Sequence, residues 1–324
     1  MAAAERGEIA ETDVKQLRYE NLRDNFRPKQ RDEIKKKRED SKWRQLDRFF
    51  LGRRVSDMIA PGATIIEDFI ESRRDEGTSD PTKRRNLRPL VAVFRRAYKK
   101  RLINHLPVFD LPKDSASASE YLEPADFAKI LVELDKERGA KIKAGFKDAP
   151  DLIPFFSFLY ATGCRLGAAQ QITWEMVSKD CTMIDLPGII TKNGSPLKLV
   201  LAGSQLESLV KMLRKMFRKD GVPVFDSTNY RQEWNKACHA AGFRAYEEST
   251  RRRAKVRGFR IHDCRGSAAV NMLDAGVDRD LVMAIGGWKT DAMLRRYNRP
   301  TENRLKAAME RSGKFVEAMM NGTK

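Results

Sequence analysis

Apolar residues recur at intervals of three and four positions along most of this 324-residue chain. From Trp43 to about Asp110 they fall into three groups: Leu46, Phe49 and Phe50; then Ile65, Ile66, Phe69 and Ile70; then Leu87, Leu90, Val91, Phe94 and Tyr98. This spacing is close to the roughly 3.6-residue period of an α-helix, so it places the apolar side chains on one face. The chain is therefore predicted to fold mainly as packed helices.

One segment departs from this spacing. Residues 181–203, CTMIDLPGIITKNGSPLKLVLAG, contain short β-branched and apolar runs around Asn193 and Gly194, and an Asn-Gly pair is a strong hairpin signal. The segments predicted to be helical after it are 204–219, 228–241 and 263–275. The predicted fold class is therefore mainly α with a small antiparallel β-sheet, an α+β architecture.

The length of the chain favours two compact units rather than one. Residues 110–124, DLPKDSASASEYLEP, are rich in small residues and proline, which is typical of an interdomain linker. The predicted organisation is a basic N-terminal arm at 1–40, a helical domain at 41–112, and a second domain at 113–324 that ends in a helix at 301–320.

Positive charge is spread over the whole chain. The formal net charge is +18, and residues 1–112 hold 27 lysines and arginines against 19 acidic residues. Two basic domains suit a polyanion, most commonly nucleic acid, although an anionic membrane or an acidic protein would fit the same charge. The arm ends in PKQRDEIKKKRED, which is either a solvated, flexible segment or a strap that contacts phosphates.

Several classes of protein are disfavoured by the sequence. No apolar run approaches the roughly 18 residues of a membrane span, and the opening segment lacks a secretory signal pattern. The cysteines form no C-x-x-C pair, and we expect them to be small buried hydrophobes: Cys164, Cys181, Cys238 and Cys264. A soluble protein of a reducing, cytoplasmic compartment is expected.

The third apolar group of the helical domain belongs to a strongly basic helix. Asp80 is a suitable cap and Pro81 suits the first helical position, while Pro89 suggests a kink or a delayed start. One face is predicted to be core and the other to face DNA phosphates, through Lys83, Arg84, Arg85, Arg88, Arg95, Arg96 and Lys99.

The second domain carries a series of residues suited to phosphoryl chemistry. In chain order these are Arg165 in ATGCRLGAAQQITWEMV, Lys192 in the hairpin, His262 and Arg265 in IHDCRGSAA, Trp288, and Tyr297. The order TG-x-R, hairpin lysine, H-x-x-R, and a G-(H/W) nine residues before a tyrosine resembles the tyrosine recombinase (phage integrase) family. Within that family, GGWKTDAMLRRYN is similar to the GHKT…RYN pattern of bacterial prophage integrases. The resemblance covers about residues 120–300 well and residues 41–110 more loosely.

The chemistry explains why these residue types occur together. A phosphodiester is an anion that gains charge on its oxygens during attack, so the forked guanidinium groups of Arg165 and Arg265 are suitable stabilisers. A tyrosine has an ordinary pKa of about 10, so Tyr297 needs a positive pocket and a proton acceptor before it attacks. His262 is a candidate acceptor, and also a donor to the phosphate.

The resemblance implies the remaining roles. It makes 41–112 a core DNA-binding domain and 113–324 the catalytic domain, and it assigns the general acid to Lys192, with Lys198 as the fallback. Trp288 stands where many relatives have a second histidine, and its indole N–H can still donate to the phosphate. The implied reaction is DNA strand transfer through a covalent 3′-phosphotyrosyl intermediate, without cofactor, metal or ATP, which agrees with the lack of a P-loop motif.

The implied partners are double-stranded DNA with a specific recombination site, a homotetramer on that DNA, and an accessory factor for bending or directionality. The setting would be a mobile element or prophage in the bacterial cytoplasm, associated with the nucleoid. The C-terminal helix has an apolar stripe, made of Leu305, Ala308, Met309, Val316 and Met319. It either folds back on its own domain or docks on a neighbouring protomer, and the resemblance supports docking.

The sequence differs from the family pattern at two positions, and two alternative functions stay open. Ala168 stands where the family usually has an acidic residue, and Gly266 stands where many relatives have histidine or lysine. A type IB topoisomerase resembles the family in its active site but does not exchange partners. A helix-turn-helix regulator would explain AGVDRDLVMAIGGWKTDAMLRRY, but it leaves Arg165 and Lys192 without a role.

Overall fold

The computed structural model describes residues 16–27, 33–112, 120–146, 148–192, 194–217, 219, 221–243, 258–295, 297 and 302–321. The chain divides into two compact units, Met1–Ala116 and Ser117–Lys324. The prediction of a mainly helical chain with a small antiparallel sheet is confirmed. None of the described helices is long and apolar enough to cross a membrane.

The described part of the first unit is helical. Its helices are α1 (Tyr19–Phe26), α2 (Glu33–Phe50), α3 (Val55–Ile59), α4 (Ile65–Asp75) and α5 (Asp80–Lys99). The three predicted apolar groups meet in one core, where the ring of Phe50 lies 5.2 Å from that of Phe69. α5 begins at Asp80, one residue after its cap position at Ser79, and it runs through Pro89 to its end without a break.

The predicted boundary at residue 40 does not match the structure, because α2 runs across it. Part of the predicted arm also packs against the unit, since Tyr19 and Leu22 of α1 are fully buried in the core. The Tyr19 hydroxyl donates to the Asp47 carboxylate at 2.9 Å. Tyr19 and Leu22 are three positions apart and so share one face of this mostly polar helix. Residues 1–15 and 28–32 of the predicted arm lie outside the described residues.

The second unit packs helices around a central apolar one. Its elements are α6 (Pro124–Lys143), α7 (Ile153–Thr162), α8 (Leu166–Ala169), β1 (Met183–Leu186), β2 (Leu197–Val200), α9 (Gln205–Phe217), α10 (Tyr230–Ala240), α11 (Asp263–Asp274), α12 (Arg279–Gly286), α13 (Asp291–Arg295) and α14 (Glu302–Asn321). α7 is apolar on all sides, and its Phe155, Phe156 and Phe158 are fully buried. A helix without a polar face has to be surrounded. α11 packs along α7, and this contact organises the functional site.

The strands pair as predicted, but the turn between them differs. β1 and β2 are antiparallel, and the last pair joins Leu186 to Leu197. The connection therefore spans residues 187–196 and is longer than a two-residue Asn-Gly turn. Its first and last residues are Pro187 and Pro196, and because proline has no backbone N–H it cannot extend a ladder as a donor. Gly194, with φ of +69°, belongs to this loop, and Asn193 lies outside the described residues.

Candidate active site

Arg265 is a buried cation on α11. Its side chain is only 4% exposed, and its Nη1 donates to the carbonyl of Gly163. Its Nη2 is also buried and makes no hydrogen bond of good geometry with the described residues, although the Tyr297 hydroxyl is near enough to raise the pKa of Arg265. Burial and the nearby charge of Arg165 lower the pKa of Arg265 to about 10, which still leaves it charged at neutral pH. A charged donor without a partner is costly to bury, so this site favours an anionic ligand.

The loop after α7 brings Arg165 to the same place. α7 ends at Gly163, whose φ of +64° is left-handed. A Cβ at this position would lie 3.2 Å from both the Ala268 side chain and the Trp288 ring, so glycine allows the loop to approach α11 closely. Two residues later, Arg165 occupies the N-cap position of α8 and is half-buried. Its Nη2 donates to the carbonyl of Gly287 at 3.4 Å.

Trp288 forms the floor of the site. The side chain is 5% exposed, and the Arg265 guanidinium carbon lies 4.2 Å from its ring centroid, a cation–π contact. The ring also covers Gly286, where a Cβ would lie only 1.7 Å from it. The indole N–H is buried and has no partner within the described residues. Trp288 is thus both a core residue and an unused donor beside Arg265.

Tyr297 meets His262 at the edge of this floor. The Tyr297 hydroxyl lies 3.4 Å from the His262 Nε2, and the Tyr297 ring lies edge-on to Trp288 with centroids 6.1 Å apart. His262 immediately precedes α11, in a turn held by the Asp263 carboxylate, which accepts the backbone N–H of Arg260 at 2.7 Å. The sequence-predicted nucleophile and proton acceptor are therefore neighbours in the structure.

The surroundings favour neutral His262. Although much of the side chain is exposed, the packing around its ring lowers the pKa, and the charge of Arg265 acts in the same direction. Asp263 opposes this shift, while the charges of Arg260 and Lys192 add to it. A neutral imidazole can accept a proton through Nε2, whereas an imidazolium ion cannot.

The two candidate general acids have different surroundings. Lys192 is exposed in the loop between the strands, close enough for its charge to act on His262. Lys198 lies on β2, opposite Asp185 in the ladder, and its Nζ is 3.7 Å from that carboxylate. Both side chains of this pair are largely exposed, so the contact restrains Lys198 only weakly, and both lysines stay candidates.

Ala168 and Gly266, the two departures from the family pattern, have no polar side chain at these positions. Ala168 is buried in the core of the second unit, and Gly266 is buried on α11. The contacts that fix Arg265 come instead from the Gly163 carbonyl and the Trp288 ring. The sequence predicts that Gly163 closes its helix, but it does not reveal that Gly163 and Gly286 let Trp288 pack closely; each glycine lies two positions before a candidate site residue.

The four cysteines are thiols buried in the second unit, as expected. Burial raises the pKa of the Cys164 thiol to about 11, so this neighbour of Arg165 is not a thiolate nucleophile at neutral pH. Within the described residues, no group of three or more His, Cys, Asp or Glu side chains could hold a metal ion.

Two of the basic residues predicted to contact DNA face the protein instead. Lys83 is 1% exposed, and its Nζ lies 2.6 Å from the Asp80 carboxylate. The prediction that Lys83 contacts phosphates is therefore wrong, because its position three residues before Asn86 and four before Leu87 places it on the core face. Arg84 is half-buried, and its Nη1 donates to the carbonyl of Pro112 at 3.1 Å.

The other five basic residues of α5 are exposed: Arg85, Arg88, Arg95, Arg96 and Lys99. At roughly 100° per residue they fall within an arc of about 100° on the helix, opposite Lys83. Arg96 also donates to the carbonyl of Phe26 at 2.6 Å. One face of α5 is thus a continuous cationic surface, which we call the basic face.

The known proteins to which this chain is similar include integrases. The integrase of Salmonella phage P22 is 20% identical over 230 residues, covering 69% of this chain and 55% of that protein, so the chain spans about half the length of this curated relative. The Tn1549 transposon integrase in complex with transposon right end DNA is 18% identical, with a TM-score of 0.65 over 93% of this chain and 99% of that one. A lambda integrase tetramer bound to a Holliday junction is 14% identical, with a TM-score of 0.65 over 93% and 83%.

These structural likenesses establish the shared fold. A model of the phage integrase family matches residues 121–304, more than half of the chain. The match includes Arg165 and Tyr297 and everything between them, and by it the chain belongs to the phage integrase family.

Proposed function

We propose that this protein is a site-specific DNA recombinase that cleaves and rejoins DNA through a covalent 3′-phosphotyrosyl intermediate. The observation that carries this function is the placement of the Tyr297 hydroxyl 3.4 Å from the His262 imidazole, beside the buried and partly unsatisfied Arg265. A nucleophile, a proton acceptor and an anion-binding group in one place are the requirements for attack on a phosphodiester.

In the first step, the Tyr297 oxygen attacks the scissile phosphorus. Its proton passes to the Nε2 of His262, which the low pKa keeps available as an acceptor. Negative charge grows on the nonbridging oxygens, and the guanidinium groups of Arg165 and Arg265 stabilise it. The indole N–H of Trp288 supplies a further donor.

In the same step, the bond between phosphorus and the 5′ oxygen breaks. The departing oxygen takes the electron pair and receives a proton, for which Lys192 is the proposed donor. The phosphotyrosyl ester preserves the energy of the broken bond. A 5′ hydroxyl from a second duplex can therefore attack it and release Tyr297 without ATP or a metal ion.

The DNA partner is a duplex that carries a specific recombination site. The basic face of α5 supports its binding, because a row of exposed arginines follows a phosphate backbone well. We place the reaction in a homotetramer, in a bacterial mobile element or prophage and in the cytoplasm at the nucleoid, with an accessory bending or directionality factor. The lambda relative is a tetramer on a Holliday junction.

α14 fits the proposed tetramer. Its Leu305, Met309 and Val316 are exposed and lie along one stripe of the helix. We propose that this stripe docks on a neighbouring protomer rather than on its own domain. Contacts of this head-to-tail kind close into rings.

The function is tested by trapping the covalent intermediate on a nicked suicide duplex that carries the element's recombination site. The site would first be mapped as the direct repeat flanking the gene. Wild-type protein should form an adduct that resists denaturation, in excess EDTA as well. Tyr297→Phe should form none while it binds the duplex nearly as tightly, because only the attacking oxygen is removed.

The matched control is Tyr230→Phe, which removes the same atom on α10 and should leave the adduct intact. Adduct formation by Tyr297→Phe, or a strict need for Mg²⁺, would overturn the proposed function. Recombinant product from two duplexes distinguishes a recombinase from a type IB topoisomerase. A regulator that only binds DNA would give neither product nor adduct.

A further inference from the structure

The loop that carries Lys192 is braced by its own contacts. The hydroxyl of Thr191 lies 2.7 Å from the carbonyl of Ser195 and 3.0 Å from that of Gly188. The backbone N–H of Thr191 also donates to Gly188 at 3.1 Å, and that of Gly194 donates to Thr191 at 3.2 Å. Thr191 is therefore bonded to both sides of the loop and braces it directly beside Lys192.

Close packing supports the same conclusion. A Cβ at Gly188 would lie only 2.4 Å from the carbonyl oxygen of Gly194, so the two sides of the loop are in direct contact. The side chain of Lys192 is exposed and makes no hydrogen bond or ion pair with the described residues. The position of Lys192 therefore depends on what holds the loop.

One side chain joins this loop to the floor of the site. Lys289 directly follows Trp288, and its Nζ donates to the Ser195 hydroxyl at 2.8 Å. The backbone alongside packs closely too, since a Cβ at Gly287 would lie 3.3 Å from the Leu197 side chain. A short path thus runs from Arg265 and its Trp288 partner, through Lys289, to the loop that bears Lys192.

We propose that Lys289 is a positioning residue for the general acid: through Ser195 it holds the braced loop so that Lys192 reaches the departing 5′ oxygen. This inference rests on the proposed function, because it requires Lys192 to donate that proton. Lys289 itself acts through the loop and not on the reacting atoms. Removing the Lys289 amine should therefore slow the step in which the 5′ oxygen departs and takes a proton, and it should have little effect on the other steps.

The leaving group offers a way to isolate this effect. In the natural reaction the bond between Tyr297 and phosphorus forms, the P–O5′ bond breaks, and the 5′ oxygen takes a proton from Lys192. If sulfur replaces that bridging oxygen, the P–S bond breaks and a thiolate departs with the electron pair. A thiol has an ordinary pKa of about 8.5, so its anion leaves without a proton donor.

The test compares single-turnover adduct formation by the full chain on the oxygen and sulfur versions of the suicide duplex. Lys289→Met should cleave the oxygen duplex about tenfold more slowly, a fraction of the ~100- to 10,000-fold that a general acid supplies. On the sulfur duplex it should match the wild type within about twofold. Ser195→Ala should behave in the same way, and the double variant should be no slower than either single variant.

Two further variants make the comparison specific. Lys289→Arg can still donate to Ser195, so it should retain most of the rate. Lys179→Met removes an exposed lysine from the turn before β1 and serves as the charge control, with no effect on either duplex.

Equal slowing of Lys289→Met on both duplexes would overturn the inference and make Lys289 a direct phosphate contact. A wild-type rate for Ser195→Ala on the oxygen duplex would overturn it as well. Failure of the proposed function looks different, because then wild-type protein would form no Tyr297-dependent adduct on either duplex.

Discussion

Arg265 shows how a single residue can be prepared for an anion. Its guanidinium lies on the Trp288 ring and donates to the Gly163 carbonyl, yet one nitrogen stays buried without a partner in the described structure. An unsatisfied buried donor costs about 1–3 kcal/mol, more when it is charged. A phosphate oxygen in this position would recover that energy, and the recovery is largest where charge peaks in the transition state.

The His262 environment leads to a prediction about pH at the same scale. Because burial and Arg265 lower its pKa, His262 should be a proton acceptor down to pH values below its ordinary 6.5. The rate of adduct formation, measured between about pH 5 and 8, should rise with pH through that lowered pKa and level off above it. His262→Gln should remove this rise, while His239→Gln, an exposed histidine on α10, should keep it.

The lowered pKa of His262 also determines how the stability of the fold changes with pH. The unfolded chain binds the His262 proton more tightly than the folded chain does, so the contribution of His262 to stability is present above pH 6.5 and is lost as pH falls through the lowered pKa.

For the rate of adduct formation, a rise centred above pH 6.5, or one that persists in His262→Gln, would contradict the assignment of His262 as acceptor.

At the scale of the element, α5 separates two kinds of basic residue. Its core face buries Lys83 against Asp80, and its basic face leaves five cations in solvent. The sequence alone places all of them on one helix, and only the rotation of that helix against its neighbours decides which side each one occupies.

This separation predicts the salt dependence of DNA binding. Replacing Arg88 and Arg95 with glutamine should reduce the slope of log affinity against log salt by about 2, since each phosphate contact contributes about 0.9. Lys83→Met removes a lysine from the same helix and should leave the slope unchanged, because that side chain is buried. Fluorescence anisotropy on the same duplex at several salt concentrations measures both. An unchanged slope in the double variant would show that the basic face does not contact DNA.

At the scale of the whole molecule, the second unit contains a complete set of candidate catalytic groups, while α14 leaves apolar side chains in solvent. An exposed apolar stripe on a helix is typical of a surface that another protein covers. In the proposed tetramer the cover is a neighbouring protomer, which would couple cleavage in one subunit to the next.

Deleting residues 303–324 tests this coupling. The shortened protein should still bind a single site and form some covalent adduct, because Arg165, His262, Arg265 and Tyr297 remain. It should fail to complete recombination between two sites. Adduct on the suicide duplex and recombinant product from two duplexes are measured separately. Normal recombination would contradict the docking proposal. Folding of the shortened protein is checked by thermal denaturation, and loss of folding would indicate that α14 packs on its own domain.

The local sequence pattern was sufficient to predict the helices, the strands and the family of this protein. The three- and four-residue spacing predicted the helices, the β-branched runs predicted the strands, and the chain order of the candidate catalytic residues indicated the family. These features depend on backbone period and on chemical type, which neighbouring residues along the chain determine.

Other features depend on contacts between distant parts of the chain, and only the tertiary structure decided them. Tyr19 and Leu22 become core because α1 finds a partner surface, although their surroundings in sequence are polar. Lys83 becomes buried through the rotation of α5, and Lys289 meets Ser195 across 94 positions of sequence. Burial and side-chain contact are properties of the packed chain, so no local period could have revealed them.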